Sequence, residues 1–162
     1  MYDLQGKEVW KKAASAHLPS DSTVNCFEAL SPDTTKSFML RLEAVSELNN
    51  EILSTNTYFL WGNESSKELA SVDIAKVDVN IMHKPTMQVV LTNTGDTPAL
   101  MLRLNLCGDD GEQILPVKYS DNYFHLLPGE RKTVTIRWSQ FDTRGTDLRL
   151  KVSGYNVKEF VF

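Results

Sequence analysis

The segment Tyr119–Trp138, YSDNYFHLLPGERKTVTIRW, decides how the chain is read. As extended backbone it points Tyr123, His125 and Leu127 one way and Asn122, Phe124 and Leu126 the other, so much of both faces is apolar. Pro128-Gly129 then punctuates it, because proline fixes φ and glycine accepts a positive φ. Beyond the turn, Val134, Ile136 and Trp138 alternate with Thr133, Thr135 and Arg137, the period-two pattern of a half-buried strand. Two strands and a turn closing a β-sandwich are the expectation.

The same pattern recurs outward in both directions. Toward the C-terminus, Leu148–Val152 and Asn156–Phe162 read as final strands. Upstream, Leu100, Leu102, Leu104 and Leu106 alternate with Met101, Arg103 and Asn105, and Gly108-Asp109-Asp110-Gly111 closes a hairpin onto Ile114–Val117. Val77–Ile81 and Met87–Leu91 flank His83-Lys84-Pro85, and Asn93–Thr97 turns the chain through Gly95-Asp96. About seven strands follow Asp73, the complement of an immunoglobulin-like sandwich. Residues 63–72, polar around GNESSKE, read as a linker.

Residues 1–62 offer only about five strands by the same signals. Tyr2–Leu4 and Glu8–Ala14 flank Gln5-Gly6-Lys7, and Thr23–Ala29 follows. Phe38–Ala44 alternates cleanly, with Phe38, Leu40, Leu42 and Ala44 as its buried side, and Asn49-Asn50 turns into Ile52–Trp61. The expected architecture is all-β: a partial sandwich over 1–62, a linker over 63–72 and a complete sandwich over 73–162.

Composition agrees with a folded globular chain. Of 162 residues, 41% are hydrophobic and 23% charged. The net charge of −4 includes no basic run, so nucleic-acid binding lacks its electrostatic footprint. No apolar run approaches the roughly 20 residues of a membrane span, and no signal peptide opens the chain. Cys26 and Cys107 read as buried free thiols rather than as a disulfide.

Ser120-Asp121-Asn122-Tyr123-Phe124 followed by Leu126-Leu127-Pro128-Gly129-Glu130 resembles a run in the closing domain of glycoside hydrolase family 2 enzymes of the exo-β-glucosaminidase and β-mannosidase type. Tyr2–Val9 resembles a strand in the middle of the preceding domain, so the chain is similar to the second part of one sandwich plus all of the next. The resemblance implies an exported parent that hydrolyses β-linked sugars through two carboxylates in a barrel that this chain does not include. It implies a non-catalytic, accessory role here, without cofactor, and with the parent's catalytic domains as partner. A sandwich lacking strands leaves an open edge and an uncovered apolar face, so self-association through Tyr2–Trp61 is also expected. A carbohydrate-binding module and a free-standing immunoglobulin-like interaction protein are the alternatives.

Candidate chemistry is sparse. Asn63-Glu64 is similar to the Asn-Glu pair of the family's barrel, but retaining chemistry needs a second carboxyl about 5–5.5 Å away, and a solvated loop dipeptide is preferred. Asn63-Glu64-Ser65 also has the form of a glycosylation acceptor, which would matter only in a eukaryotic secretory context. Asp109, Asp110 and Glu112 miss the calcium-loop spacing and read as turn residues. His17, His83 and His125 have no cysteine or carboxylate at ligand spacing, so neither a metal centre nor a His–Ser pair is expected. Asp121 and Asn122 are expected to bond nearby backbone and fix their loop, with a place in the parent's substrate cleft as the functional alternative. Trp10, Trp61, Trp138, Tyr123 and Tyr155 are expected in core or interface packing, and Trp61 is the candidate for stacking a sugar.

Overall fold

The computed structural model describes residues 1–82 and 86–162. His83-Lys84-Pro85, which separates two of the expected strands, lies outside them. The chain divides into two compact units, Met1–Ser71 and Val72–Phe162.

The second unit is a sandwich of two four-stranded antiparallel sheets. Its strands are β4 (Val77–Met82), β5 (Met87–Asn93), β6 (Ala99–Gly108), β7 (Val117–Tyr119), β8 (Phe124–Leu126), β9 (Arg131–Trp138), β10 (Leu148–Gly154) and β11 (Val157–Val161). One sheet has the order β11-β10-β6-β8 and the other β4-β5-β9-β7. Alternation puts Leu102, Leu104 and Leu106 of β6 inside with Val89 and Leu91 of β5, Val134 and Ile136 of β9, and Leu150 and Val152 of β10. Each such side chain stabilises the fold by roughly 1.5–3 kcal/mol when withdrawn from water.

Eight strands stand where about seven were expected. One expected strand is displaced around residue 114. Ile114–Val117 does not form a strand against β6: only Cys107 and Gln113 bridge there, and Ile114 N–H donates to the Leu106 carbonyl. The strand begins at Val117 and pairs instead with β9 in the other sheet. Leu115-Pro116 intervenes, and a proline cannot donate to a ladder.

The first unit is sparser. It holds β1 (Tyr2–Asp3), β2 (Phe38–Val45) and β3 (Ile52–Leu60) in one sheet of order β1-β2-β3, then a short helix α1 (Ser65–Ala70). The β2–β3 hairpin turns at Asn49-Asn50, where Asn50 adopts φ +56° and Ser46 N–H donates to the Glu51 carbonyl. Glu8–Ala14 and Thr23–Ala29 are not strands. The first contributes one bridge, Tyr2 to Glu8, and the second pairs with nothing in a ladder among the described residues. Their period-two pattern signals what a strand would bury, but an isolated strand without neighbours gains little.

The same lack of neighbours exposes the sheet. Phe38 and Met39 are buried beside Met1 and Leu4, but Leu42 and Ala44 are exposed, against the expectation that both lie inside. The stretch read as a linker carries α1, and Glu68 of that helix accepts the Ser37 N–H at 2.9 Å. Cys107 is buried; Cys26 is exposed, contrary to its reading as a buried thiol.

Candidate functional site

The SDNY run is where the chain passes from one sheet to the other. Ser120 still belongs to the β9 side: its N–H donates to the Thr135 carbonyl, and its hydroxyl accepts from the Thr135 N–H at 2.9 Å. Two residues later Asn122 belongs to β6. Its Oδ1 accepts the Leu104 N–H at 2.8 Å, and its Nδ2 donates to the Leu104 carbonyl at 2.9 Å. The side-chain amide thus reproduces a strand partner for one residue of β6. Tyr119 extends the repair, its hydroxyl accepting the Leu106 N–H at 2.9 Å from the opposite sheet. Burial raises the pKa of that phenol above its ordinary value.

These contacts have one physical cause. β6 is ten residues long and β8 only three, with ladder partners at Ala99–Leu126 and Leu102–Phe124. Beyond them, β6 would present unpaired backbone in a part-buried place, costing about 1–3 kcal/mol per group. Asn122 and Tyr119 satisfy those groups.

Asp121, at the crossover, is ion-paired with Lys132 of β9, and its Oδ1 accepts the Asn122 N–H at 2.7 Å. Lys132 also stands 4.7 Å from the Phe124 ring centroid. Tyr123 takes φ +58°, unusual for a residue with a Cβ, and turns its ring outward, where Arg103 lies 5.9 Å from the ring centroid. His125 accepts the N–H of Met101 on Nδ1 at 3.0 Å, at the bulge where β6 slips register against β8. Burial lowers its pKa, favouring the neutral ring that can accept this bond.

The turn after β8 is held from beneath. Glu130 N–H donates to the Leu127 carbonyl, Glu130 Oε2 accepts the Leu127 N–H at 2.8 Å, and Gly129 has φ +77°. Proline at the second position and positive-φ glycine at the third make a type II turn. Buried Asn93 accepts the Gly129 N–H on its carbonyl, while its Nδ2 donates to the carbonyls of Leu126 and Thr97. Asn156 does similar work at the same end of β6, accepting the Leu100 N–H on Oδ1 and donating to the carbonyls of Pro98 and Asp73. Neither asparagine was singled out from sequence, where Asn93 opens the expected turn Asn93–Thr97 and Asn156 only begins an expected strand.

Trp61, the other candidate, follows β3 in the first unit. It is 50% exposed and stacks on Phe59 with ring centroids 4.6 Å apart and planes 7° from parallel. Trp10 packs toward Phe27, centroids 6.4 Å apart, and Trp138 is half-buried against the sandwich core. Tyr123 and Tyr155 are exposed, so none of these five aromatics is a fully buried core residue.

Several carboxylates serve local structure. Asp3 accepts the N–H groups of Gln5 and Lys7, Glu64 pairs with Lys67 at 2.8 Å, and Asp110 accepts the Glu112 N–H. Thr35 holds the Asp33 carboxyl below its ordinary pKa, and Thr146 does the same for Asp109. A sugar-protonating acid requires the opposite shift. Among the described residues no three histidine, cysteine or acidic side chains are grouped as a metal would need. No helix among them is long and apolar enough to cross a membrane.

Comparison with known proteins gives a consistent set. Residues 61–157 match the family described as the exo-β-D-glucosaminidase Ig-fold domain. The exo-β-D-glucosaminidase of Streptomyces avermitilis is 39% identical over 74 residues, covering 46% of this chain and 8% of that protein. The exo-β-D-glucosaminidase of Arthroderma benhamiae is 31% identical over 132 residues, covering 67% of this chain and 14% of that protein. The mannosylglycoprotein endo-β-mannosidase of Lilium longiflorum is 31% identical over 127 residues, 71% of this chain and 13% of that protein. The chain therefore spans only 8–14% of the length of these relatives. In fold it is similar to the exo-chitosanase CsxA of Amycolatopsis orientalis. One crystal structure gives a TM-score of 0.67 at 20% identity, over 87% of this chain and 20% of that one. An inhibitor complex gives 0.71 at 19%, over 99% and 22%.

Proposed function

Because the chain belongs to the family of Ig-fold domains of exo-β-D-glucosaminidases, within glycoside hydrolase family 2, we propose that it is a non-catalytic accessory region of such a hydrolase, bracing the domains that cleave β-linked sugars. The observation that carries this reading is the pairing of a closed sandwich with an open sheet. The second unit buries its apolar faces within itself, whereas the first leaves Leu42 and Tyr58 of one sheet face exposed. A sheet face of that kind is stable when something apolar covers it. The catalytic domains of a longer polypeptide are the proposed cover, and a second copy of the chain takes their place when the chain is isolated.

Static light scattering and an aryl-glycoside assay on the purified chain test this together. The expected result is concentration-dependent association, reduced by the pair Leu42→Lys and Tyr58→Lys, with no turnover of aryl β-glucosaminide or aryl β-mannoside. Turnover that copurifies with the chain would overturn the accessory role. A monomer at every concentration would remove the proposed cover.

A further inference from the structure

The β2–β3 hairpin runs on past the support of its own unit. β1 pairs only with Phe38 and Met39, so the outer half of the hairpin has two strands and no third. Every residue from Leu42 to Asn56 except Ser46 is exposed. A two-stranded arm of this kind is marginal in water by itself. Its end is apolar: Leu48, in the turn, is 98% exposed, and Val45, Ile52 and Leu53 are exposed beside it. The arm is also acidic. Glu43, Glu47 and Glu51 are the charged residues between positions 42 and 57. Arg41 pairs with Glu43 at 3.1 Å, and Glu51 accepts only the neutral amide of Asn49, so the end of the arm keeps a net negative charge.

The sandwich offers the converse. In the sheet β11-β10-β6-β8, Leu104 and Leu106 lie in the core opposite Val152 and Leu150, so alternation turns Arg103, Arg149 and Lys151 to the outer face. Arg149 and Lys151 stand two residues apart on β10, about 6.8 Å along the strand, and Arg103 lies diagonally from Lys151 on β6. None of the three forms an ion pair among the described residues, although Arg149 is close enough to Asp109 to help lower its pKa. The strands of this sheet carry one carboxylate, Glu159 on β11. Beside the cations stand Met101, 40% exposed, and Tyr123, 63% exposed, with the Arg103 guanidinium near the tyrosine ring. Tyrosine, methionine and arginine are the side chains that the centres of interfaces favour. The charge division runs the same way. Met1–Ser71 has 6 basic and 10 acidic residues and Val72–Phe162 has 11 of each, so the whole net charge of −4 belongs to the unit that bears the arm.

We propose that two copies of the chain form a reciprocal dimer, in which the β2–β3 arm of each docks on the outer face of the other's β11-β10-β6-β8 sheet. Leu48 lies against Met101 and Tyr123, while Glu47 and Glu51 meet Arg103, Arg149 and Lys151. A two-fold axis satisfies both arms at once, so the assembly closes at two copies. Reciprocity also doubles the buried area, toward the roughly 800 Å² that each partner of a stable interface contributes. The contact uses the end of the arm and the second unit, whereas the association described above uses the sheet face of Leu42 and Tyr58.

Charge reversal in mixed pairs tests this by sedimentation velocity on the whole chain. One variant carries Glu47→Lys and Glu51→Lys, and the other Arg149→Glu and Lys151→Glu; none of these four side chains belongs to a core. Each variant alone should dimerise roughly tenfold more weakly than the parent chain, because like charges then meet at both contacts. Mixed in equal amounts, the two should form a heterodimer within about threefold of the parent's Kd, since each arm again meets the opposite charge. Leu48→Ser in the parent chain should also weaken the dimer roughly tenfold. Variants that associate alone as tightly as the parent, a mixture as weak as its components, or a parent chain monomeric at every concentration would each overturn the proposal. Leu42 and Tyr58 are intact in both variants, so association through their sheet face persists in each variant alone and is read separately.

Discussion

At the residue scale, three asparagines hold what the ladders leave open. Asn122 is the clearest, because both of its amide atoms serve a single residue of β6. Asn122→Ala should cost about 2–3 kcal/mol, since it orphans a donor and an acceptor in a part-buried place; urea denaturation monitored at Trp138 measures this. Asn122→Asp should not recover the loss, because a carboxylate oxygen would take the place of Nδ2 against the Leu104 carbonyl. His125 yields a pH dependence with a definite sign. Burial lowers its folded pKa, so below about pH 6.5 the unfolded chain takes up more protons than the folded one. Its contribution is complete above that pH and is lost as the pH falls toward the depressed folded value. The melting temperature should therefore fall between about pH 7.5 and 5.5, and by less in His125→Gln, where no imidazole titrates. The polar character of SDNY was visible in the sequence, as was its bonding to backbone. Which backbone was not: Leu104 lies eighteen residues away, and only the meeting of β6 with the crossover makes it a neighbour.

At the element scale, the turns and the long strands were legible and the pairings of short ones were not. Leu127-Pro128-Gly129-Glu130 forms the turn that its proline and glycine require. The period-two pattern of β6 and β9 appears as alternating burial. Thr23–Ala29 carries the same pattern and stays out of any ladder, because periodicity describes a face and says nothing about whether a neighbour exists to cover it. The polar stretch at 63–72 misled for the converse reason. Its helix is held from outside itself, by Glu68 on Ser37 and by Gly62, whose N–H donates to the Ser37 hydroxyl at 3.1 Å. Gly62 permits that approach, since a Cβ there would stand 2.4 Å from the Lys36 carbonyl carbon and the Thr35 carbonyl oxygen. Gly62→Ala should therefore release α1 from residues 35–37. Hydrogen exchange at Ser37 and along α1 should accelerate while the amides of β5 and β9 stay protected. By contrast, Gly129→Ala meets no atom within 4 Å and carries only the conformational cost of positive φ, about 1 kcal/mol.

At the scale of the whole molecule, the two units differ in how much they bury. The sandwich has a continuous core drawn from both sheets, while Met1–Ser71 withdraws little beyond Met1, Leu4, Phe38 and Met39 from water. Urea should unfold the chain in two steps, the first unit at the lower concentration. The tryptophans separate them: Trp10 and Trp61 report the first unit and Trp138 the second. With Trp10→Phe and Trp61→Phe together, only the later step should remain in the fluorescence; a single shared transition in that variant and in the parent chain would contradict the division. The two units also end their sheets differently. Along β6, an amide and a phenol occupy the positions a foreign strand would need, and that border is closed to recruitment. Ile52–Leu60, the last strand of its sheet, contains no charge, proline or glycine to turn a newcomer away. Should stored protein polymerise into fibres, their seed is this nine-residue segment, and a single lysine at Thr55 would be enough to slow their growth.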